Sequence, residues 1–159
     1  MAGQDEQLQL VTFRLGDEKY GIDIMDVQEI VRDQEIRAIP NAPLYIAGIL
    51  NLRGSIIPII NLHERFHFKK VQLSAGEELL SGIIIIKINQ MQLGVIIDKV
   101  SRVVTIDLKI VQPAPQMITG IGSEYIQGVV REEEGYLIIL DISRLFNPRE
   151  LQQISDISK

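Results

Sequence analysis

The chain contains two copies of one sequence pattern. With a shift of 73 residues, the apolar run that begins at Leu10 falls on the run that begins at Ile83, and Gly21 falls on Gly94. A shift of 80 residues continues the match through the rest of each copy and superposes Tyr45 on Tyr125, Gly48 on Gly128 and Phe66 on Phe146. Because glycine and aromatic positions agree within one periodic apolar pattern, we predict that the two halves share one fold.

Each half has the pattern of five short β-strands. Aromatic residues make up only 5% of the chain, and the abundant Ile and Val side chains favour pleated strands. Apolar runs between turn-forming residues predict strands at Leu8–Leu15, Tyr20–Ile24, Val27–Val31, Tyr45–Leu52 and Ser55–Leu62, and again at Ile83–Ile88, Leu93–Ile97, Val100–Val104, Tyr125–Val130 and Gly135–Ile142. Closing five such strands into a barrel removes their exposed edges. We therefore predict an all-β chain of two tandem barrels, at about residues 8–70 and 80–147.

Several predicted strands are apolar at nearly every position. The runs Ile56–Ile60 and Leu137–Leu140 do not alternate between apolar and polar residues. A strand with one face in solvent would alternate, so these strands are expected to be covered on both faces. The simplest cover is the other barrel. This predicts an apolar core between the barrels, which makes residues 1–159 a single domain.

The chain is predicted to end in a helix at about residues 148–157. Asn147 is a favoured N-cap residue, Pro148 suits the first helical position, and Glu150 completes a capping pattern. Leu151 and Ile154 begin an apolar stripe along one face. We expect this stripe to pack on the second barrel.

Composition excludes several classes of function. The chain has no cysteine, which removes thiol chemistry and disulfides, and its net charge of −5 is spread along the sequence, unlike that of a nucleic-acid binder. The apolar runs are far shorter than the ~20 residues of a membrane-spanning helix, so no membrane insertion is expected. The first twenty residues lack the features of an export signal. We therefore expect a cytoplasmic protein.

One motif suggests catalysis. His63, Glu64 and His67 match the H-E-x-x-H pattern of zinc hydrolases, which places two imidazoles on one face of a helix. The repeat opposes this interpretation, because Ser143 and Asn147 occupy the positions of the two histidines in the second half. A zinc hydrolase remains an alternative, but we predict no catalytic residue, no metal site and no cofactor.

Two long segments resemble a known family. The run from Gly16 to Ile24 and the run from Gly48 to Leu62, with its N-L-R-G-x-I-x-P-I motif, are similar to the CheW family of chemotaxis coupling proteins. The resemblance continues to about residue 147. It implies two five-stranded SH3-like barrels and a non-catalytic adaptor that joins the cytoplasmic tips of chemoreceptors to the histidine kinase CheA. The alternative is a CheW-like regulatory module of a larger protein, such as CheA or CheV.

The resemblance also implies two sets of partner-binding residues. The receptor-facing residues are Val27, Glu29, Gly48 and Arg53. The residues that face the regulatory domain of CheA are Ile36, Arg37 and Ile39, with Gln112 and Met117 on a second kinase-facing surface. The family further implies a protein that is monomeric alone and becomes part of membrane-bound receptor arrays.

Arg53 stands out in the repeat without the resemblance. It lies at a predicted hairpin tip, and the matching tip in the second half carries Glu133. The two tips have the same packing requirements, so the opposite charges indicate a requirement set by a partner. A guanidinium suits planar contact with a carboxylate or a carbonyl group.

Overall fold

A computed structural model describes residues 7–15, 18–32, 35–62, 82–113, 125–133 and 135–157. Within these residues the chain forms ten β-strands, three short 3-10 helices and one α-helix. The strands are β1 (Gln7–Leu15), β2 (Glu18–Asp23), β3 (Val27–Val31), β4 (Ile46–Leu52), β5 (Ser55–Asn61), β6 (Gly82–Ile88), β7 (Met91–Ile97), β8 (Lys99–Asp107), β9 (Ile126–Glu132) and β10 (Gly135–Leu140). The 3-10 helices are Ile24–Asp26, Leu108–Ile110 and Ile142–Arg144, and the α-helix α1 is Pro148–Ile157.

The strands form two five-stranded sheets. One sheet has the order β8-β1-β2-β10-β9, and the other has the order β3-β6-β7-β5-β4. Antiparallel hairpins supply most of the pairing, and each sheet also contains one parallel pair, β2 with β10 or β7 with β5. The prediction of an all-β fold with two SH3-like barrels is confirmed. We name the sheets the β3 barrel and the β8 barrel after the edge strand that each contains.

The strands are divided between the two barrels differently from the prediction. We expected one barrel at about residues 8–70 and the other at about 80–147, but the hairpin β1–β2 lies in the β8 barrel and the hairpin β6–β7 lies in the β3 barrel. Each half therefore gives its first hairpin to the other half. The cause is the repeat itself, since two copies of one pattern present equivalent edges to either hairpin.

Apolar side chains form three cores. Ile83 and Ile85 of β6 point into the β3 barrel, where they join Val31, Leu50, Ile57 and Ile59. Leu137 and Ile139 of β10 belong to the corresponding core of the β8 barrel, with Leu10 and Val130. The other faces of β6 and β10 contribute to a larger cluster that contains residues of both barrels, including Phe13, Tyr20, Ile84, Ile86, Ile138 and Leu140. The predicted apolar core between the barrels is confirmed.

The helix α1 begins at the predicted cap. The Glu150 N–H donates to Asn147 Oδ1 at 2.8 Å, and the Asn147 N–H donates to Glu150 Oε1 at 2.9 Å. These two bonds satisfy amide groups that the first helical turn leaves without partners. Ile154 is fully buried in the shared core, with Leu151 packed against that core.

The position of α1 adds a contact surface to the one expected. We expected the helix to pack on the second barrel. Ile154 lies in the core that both barrels share, and α1 also faces the segment 39–46, which leads into β4 of the β3 barrel. A groove of about 480 Å³ lies between them, lined by Ile39, Pro40, Asn41, Ala42, Pro43, Tyr45, Ile46, Gln153, Ile154 and Ile157. The helix therefore bridges the barrels.

Candidate functional site

Two of the predicted receptor-facing residues form an ion pair. Arg53 Nη2 donates to Glu29 Oε1, although 24 residues separate the two in the chain. Glu29 lies on β3, and Arg53 lies in the turn between β4 and β5, so the pair joins the two edges of one barrel. The side chains are 68% exposed for Arg53 and 34% exposed for Glu29. Polar atoms of both residues are therefore accessible to a partner.

The turn that carries Arg53 has an unusual residue in its first central position. Arg53 has φ 51° and Gly54 has φ 87°, and a two-residue turn with positive φ at both positions favours Asn-Gly. The turn between β6 and β7 has the same φ signs, and Asn89 occupies its first position. The left-handed conformation costs a side chain such as Arg about 1 kcal/mol. Local turn chemistry therefore does not explain Arg53.

The other two predicted receptor-facing residues are less accessible. Val27 is half-buried and packs against the shared core. Gly48 is buried in β4 beneath the backbone of Arg37. The structure thus brings Glu29 and Arg53 together at the surface, but the buried position of Gly48 argues against direct contact with a partner.

The first predicted kinase-facing segment lies along β4. The Arg37 N–H donates to the Ile49 carbonyl at 2.9 Å, and the Ile49 N–H donates to the Arg37 carbonyl at 2.8 Å. The Arg37 side chain is exposed, while Ile36 packs against the core of the β3 barrel and Ile39 lines the groove beside α1. The receptor-facing pair and this segment therefore lie on the same barrel.

The second predicted kinase-facing surface lies on the β8 barrel. Gln112 is exposed, and its N–H donates to the Val129 carbonyl at 2.8 Å, while the Val129 N–H donates to the Gln112 carbonyl at 2.8 Å. Met117 lies outside the described residues. The two predicted kinase-facing surfaces are thus on different barrels.

The structure identifies accessible apolar residues that the sequence analysis missed. Ile30 and Ile56 are each 38% exposed, and they lie on β3 and β5, close in sequence to Glu29 and Arg53. Exposed apolar side chains beside charged ones are common at protein interfaces. Sequence analysis missed these residues because each lies in a mostly apolar run, in which an outward-facing Ile cannot be distinguished from a buried one.

Three carboxylates lie close together near the 3-10 helices. Burial raises the pKa of Asp26, and the charges of Asp23 and Asp141 raise it further. Asp23 Oδ1 accepts from the Met25 N–H at 2.9 Å, and Asp141 Oδ1 accepts from the Ser143 N–H at 3.1 Å. Asp23 and Asp141 thus cap short helices, which gives both a structural role.

The described residues show no arrangement for metal chemistry. Among them, no group of three or more His, Cys, Asp or Glu side chains is placed to hold a metal ion. His63, Glu64 and His67 of the H-E-x-x-H motif lie outside these residues. In the same part of the chain, no helix has the length and apolar character needed to cross a membrane.

Comparison with known sequences shows the family over nearly the whole chain. A family model described as the CheW-like domain matches residues 9–150. The chain is 55% identical to the chemotaxis protein CheW of Treponema pallidum (strain Nichols), over 99% of this chain and 92% of that protein. It is 34% identical to the chemotaxis protein CheW of Klebsiella aerogenes, over 100% of this chain and 93% of that protein.

A solved structure agrees with this assignment. The crystal structure of the scaffolding protein TtCheW from Thermoanaerobacter tengcongensis matches with a TM-score of 0.80 and 37% sequence identity, and the match covers 92% of each chain. The sequence and the fold therefore lead to the same conclusion: this chain belongs to the CheW family.

Proposed function

We propose that the protein is a non-catalytic chemotaxis adaptor that couples the cytoplasmic tips of chemoreceptors to the histidine kinase CheA. The observation that carries the proposal is 55% identity over 99% of the chain to a protein named chemotaxis protein CheW. The related protein of known structure is described as a scaffolding protein. An adaptor of this kind acts in the cytoplasm, is recruited to membrane-bound receptor arrays, and needs no cofactor because it acts only by binding.

The receptor-facing site in this proposal is centred on Arg53. Its turn would favour Asn or Gly, yet it holds a long cation that is largely exposed and already oriented by Glu29. A residue kept in an unfavourable backbone conformation at an accessible position is common at functional sites. Glu29 limits the rotamers of the guanidinium, which lowers the entropy lost when Arg53 contacts a receptor carboxylate or carbonyl group.

The kinase-facing site in this proposal is the segment that carries Ile36, Arg37 and Ile39. Two backbone hydrogen bonds fix this segment on β4, while the Arg37 side chain extends into solvent. The receptor-facing pair lies at the β4–β5 turn. Both partners can then bind the β3 barrel at different places, as coupling requires.

The first test is direct binding of the full chain to its two proposed partners. Isothermal titration against a receptor cytoplasmic fragment and, separately, against the CheA regulatory domain should show saturable binding to each. A ternary sample should contain all three proteins. A folded chain that binds neither partner would refute the proposal.

A substitution at Arg53 tests the division between the two surfaces. Asn tolerates the positive φ of this turn, so Arg53→Asn should leave the thermal midpoint nearly unchanged. Loss of a charge-assisted hydrogen bond should weaken receptor binding by at least about 1.5 kcal/mol. Binding to the CheA regulatory domain should stay the same.

Glu133→Asn is the matched control, because Glu133 is exposed at the corresponding tip of the second half. This variant should keep both affinities. An unchanged receptor affinity in Arg53→Asn would contradict the role of Arg53, and so would an equal loss of kinase affinity.

A further inference from the structure

The two predicted kinase-facing segments are attached to their barrels in the same way. In each half, the chain beyond the edge strand returns across the next strand and forms a two-bond antiparallel bridge. Arg37 pairs with Ile49 at 2.9 and 2.8 Å, and Gln112 pairs with Val129 at 2.8 Å in both directions. Apart from these isolated bridges, the described strands of neither sheet connect its first strand to its last. The bridges therefore help to close the barrels.

In the first half, the bridge requires a glycine. A Cβ atom built at Gly48 would lie 2.2 Å from the Arg37 carbonyl oxygen, 2.7 Å from its carbonyl carbon and 2.9 Å from Ile36 Cγ2. Two of these atoms belong to the backbone, so a change of rotamer cannot relieve the contact. Gly48 also has φ 153°, which side-chain-bearing residues rarely adopt. Any side chain at this position must move the segment that carries Ile36 and Arg37.

The bridge in the second half also lies over a glycine. Gly128 is buried in β9, and a Cβ atom there would lie 2.5 Å from Val111 Cγ1 and 2.9 Å from the Gln112 carbonyl oxygen. Gly48 and Gly128 occupy equivalent places in the repeat. Both halves have a glycine beneath the bridge, although the residues that it pairs, Arg37 with Ile49 and Gln112 with Val129, differ between the halves. A glycine is therefore required at these two positions because the bridging backbone lies too close for a Cβ atom.

We propose that Gly48 and Gly128 are positioning residues that seat the two kinase-facing segments on β4 and β9. Gly48 then does not act as a receptor contact, which is the role that the family resemblance implies for it. Its effect on binding is transmitted through Ile36 and Arg37. The inference rests on the proposed function, because it takes these segments to be the surfaces that meet CheA.

The bridge also predicts which parts of the β3 barrel should move when a side chain is introduced at position 48. β4 continues from Ile49 to the turn at Arg53 and is held along its length by β5, with pairs from Ile46↔Ile60 to Leu52↔Ser55. The segment at Arg37 is attached to β4 only by the two bridging bonds among the described strand pairings. A side chain at position 48 should therefore displace the Arg37 segment and leave the Arg53 turn in place.

Gly48→Ala in the full chain tests this inference. Affinity for the CheA regulatory domain should fall by about tenfold or more, as expected when two ordering hydrogen bonds are lost, while receptor affinity stays within about threefold. Amide hydrogen exchange provides a readout without any partner. Exchange at the Arg37 and Ile49 amides should accelerate in the variant. Gly128→Ala should have the same effect at Gln112 and Val129.

Gly21→Ala is the matched control. Gly21 is also a buried strand glycine, but the three atoms nearest to a Cβ atom there all belong to the side chain of Leu10, the closest at 3.1 Å. This variant should keep both affinities and the exchange rates at Arg37 and Ile49. If Gly48→Ala does not fold, Gly128→Ala decides the inference, because it disturbs the equivalent bridge without removing a side chain that is proposed to contact CheA. It should give the same selective loss of kinase affinity.

The outcomes separate the inference from the proposed function. Failure of the wild-type chain to bind the regulatory domain would refute the proposed function, and the exchange rates would still decide whether Gly48 seats the segment. Unchanged exchange at Arg37 and Ile49 in Gly48→Ala would overturn the inference. A loss confined to receptor affinity would also overturn it, since Gly48 would then act as a receptor contact.

Discussion

Arg53 is a residue whose charge is visible in the sequence but whose main contact is visible only in the fold. The sequence predicts a partner-binding role for Arg53 from the opposite charge of Glu133 at the matching tip. It could not indicate the ion pair with Glu29, because that contact depends on bringing the two edges of one barrel together. Surface ion pairs contribute only about 0–1 kcal/mol to stability. The pair is therefore better explained by orientation of Arg53 than by folding.

Asp26 gives a prediction about pH at the same scale. Burial, followed by the charges of Asp23 and Asp141, raises its folded-state pKa above the ordinary value of 3.8. The folded state then binds the proton more tightly than the unfolded state, so Asp26 contributes stability below pH 3.8 and loses that contribution as the pH rises through the folded pKa.

Asp26→Asn should consequently raise the thermal midpoint at pH 7, where the wild-type carboxylate is charged in both states. The difference from wild type should shrink as the pH is lowered and become small below pH 3.8. Thermal melts of both proteins across this range provide the measurement. A variant less stable than wild type at pH 7 would show that the carboxylate of Asp26 makes a favourable interaction.

At the scale of elements, local sequence predicted most boundaries. The strands β3 and β5 begin where the pattern placed them, and α1 spans 148–157 as the capping residues indicated. These features depend on neighbours in the chain, which is why sequence alone contained them. The sequence did not predict that α1 also faces the segment 39–46, because the apolar stripe indicates that a face is buried but not which surfaces cover it. Both barrels offer apolar surface to such a stripe.

The helix α1 should stabilise the whole protein through Ile154. This side chain is fully buried in the shared core, so Ile154→Ala removes apolar contacts and leaves a cavity. The expected loss is about 2–5 kcal/mol of unfolding free energy, measured by urea denaturation. Arg149→Ala, on the exposed side of the same helix, should change stability by less than about 0.5 kcal/mol. Equal effects of the two substitutions would show that α1 is not docked as described.

At the scale of the whole molecule, the repeat predicted the number of barrels and the core between them but not the exchange of hairpins. The run Leu137–Leu140 showed that both faces of β10 are covered, and the structure confirms this with Ile138 and Leu140 in the shared core. The exchange of hairpins does not change which positions of a strand are apolar, because β1–β2 and β6–β7 carry equivalent apolar positions. Only long-range pairing, such as Ile138 beside Tyr20, distinguishes the two arrangements.

Hairpin exchange makes the two halves dependent on each other for folding. A fragment of residues 1–75 would contain β3, β4 and β5 without β6 and β7, which lie between β3 and β5 in the barrel. It would also leave β1–β2 without the strands β8 and β10 that flank it. The intact chain should therefore unfold in one calorimetric transition, with equal calorimetric and van't Hoff enthalpies. Fragments 1–75 and 76–159 should each lack cooperative structure alone and regain β-sheet circular dichroism when mixed. Two resolved transitions in the intact chain, or a folded 1–75 fragment, would mean that each half can complete a barrel from its own strands.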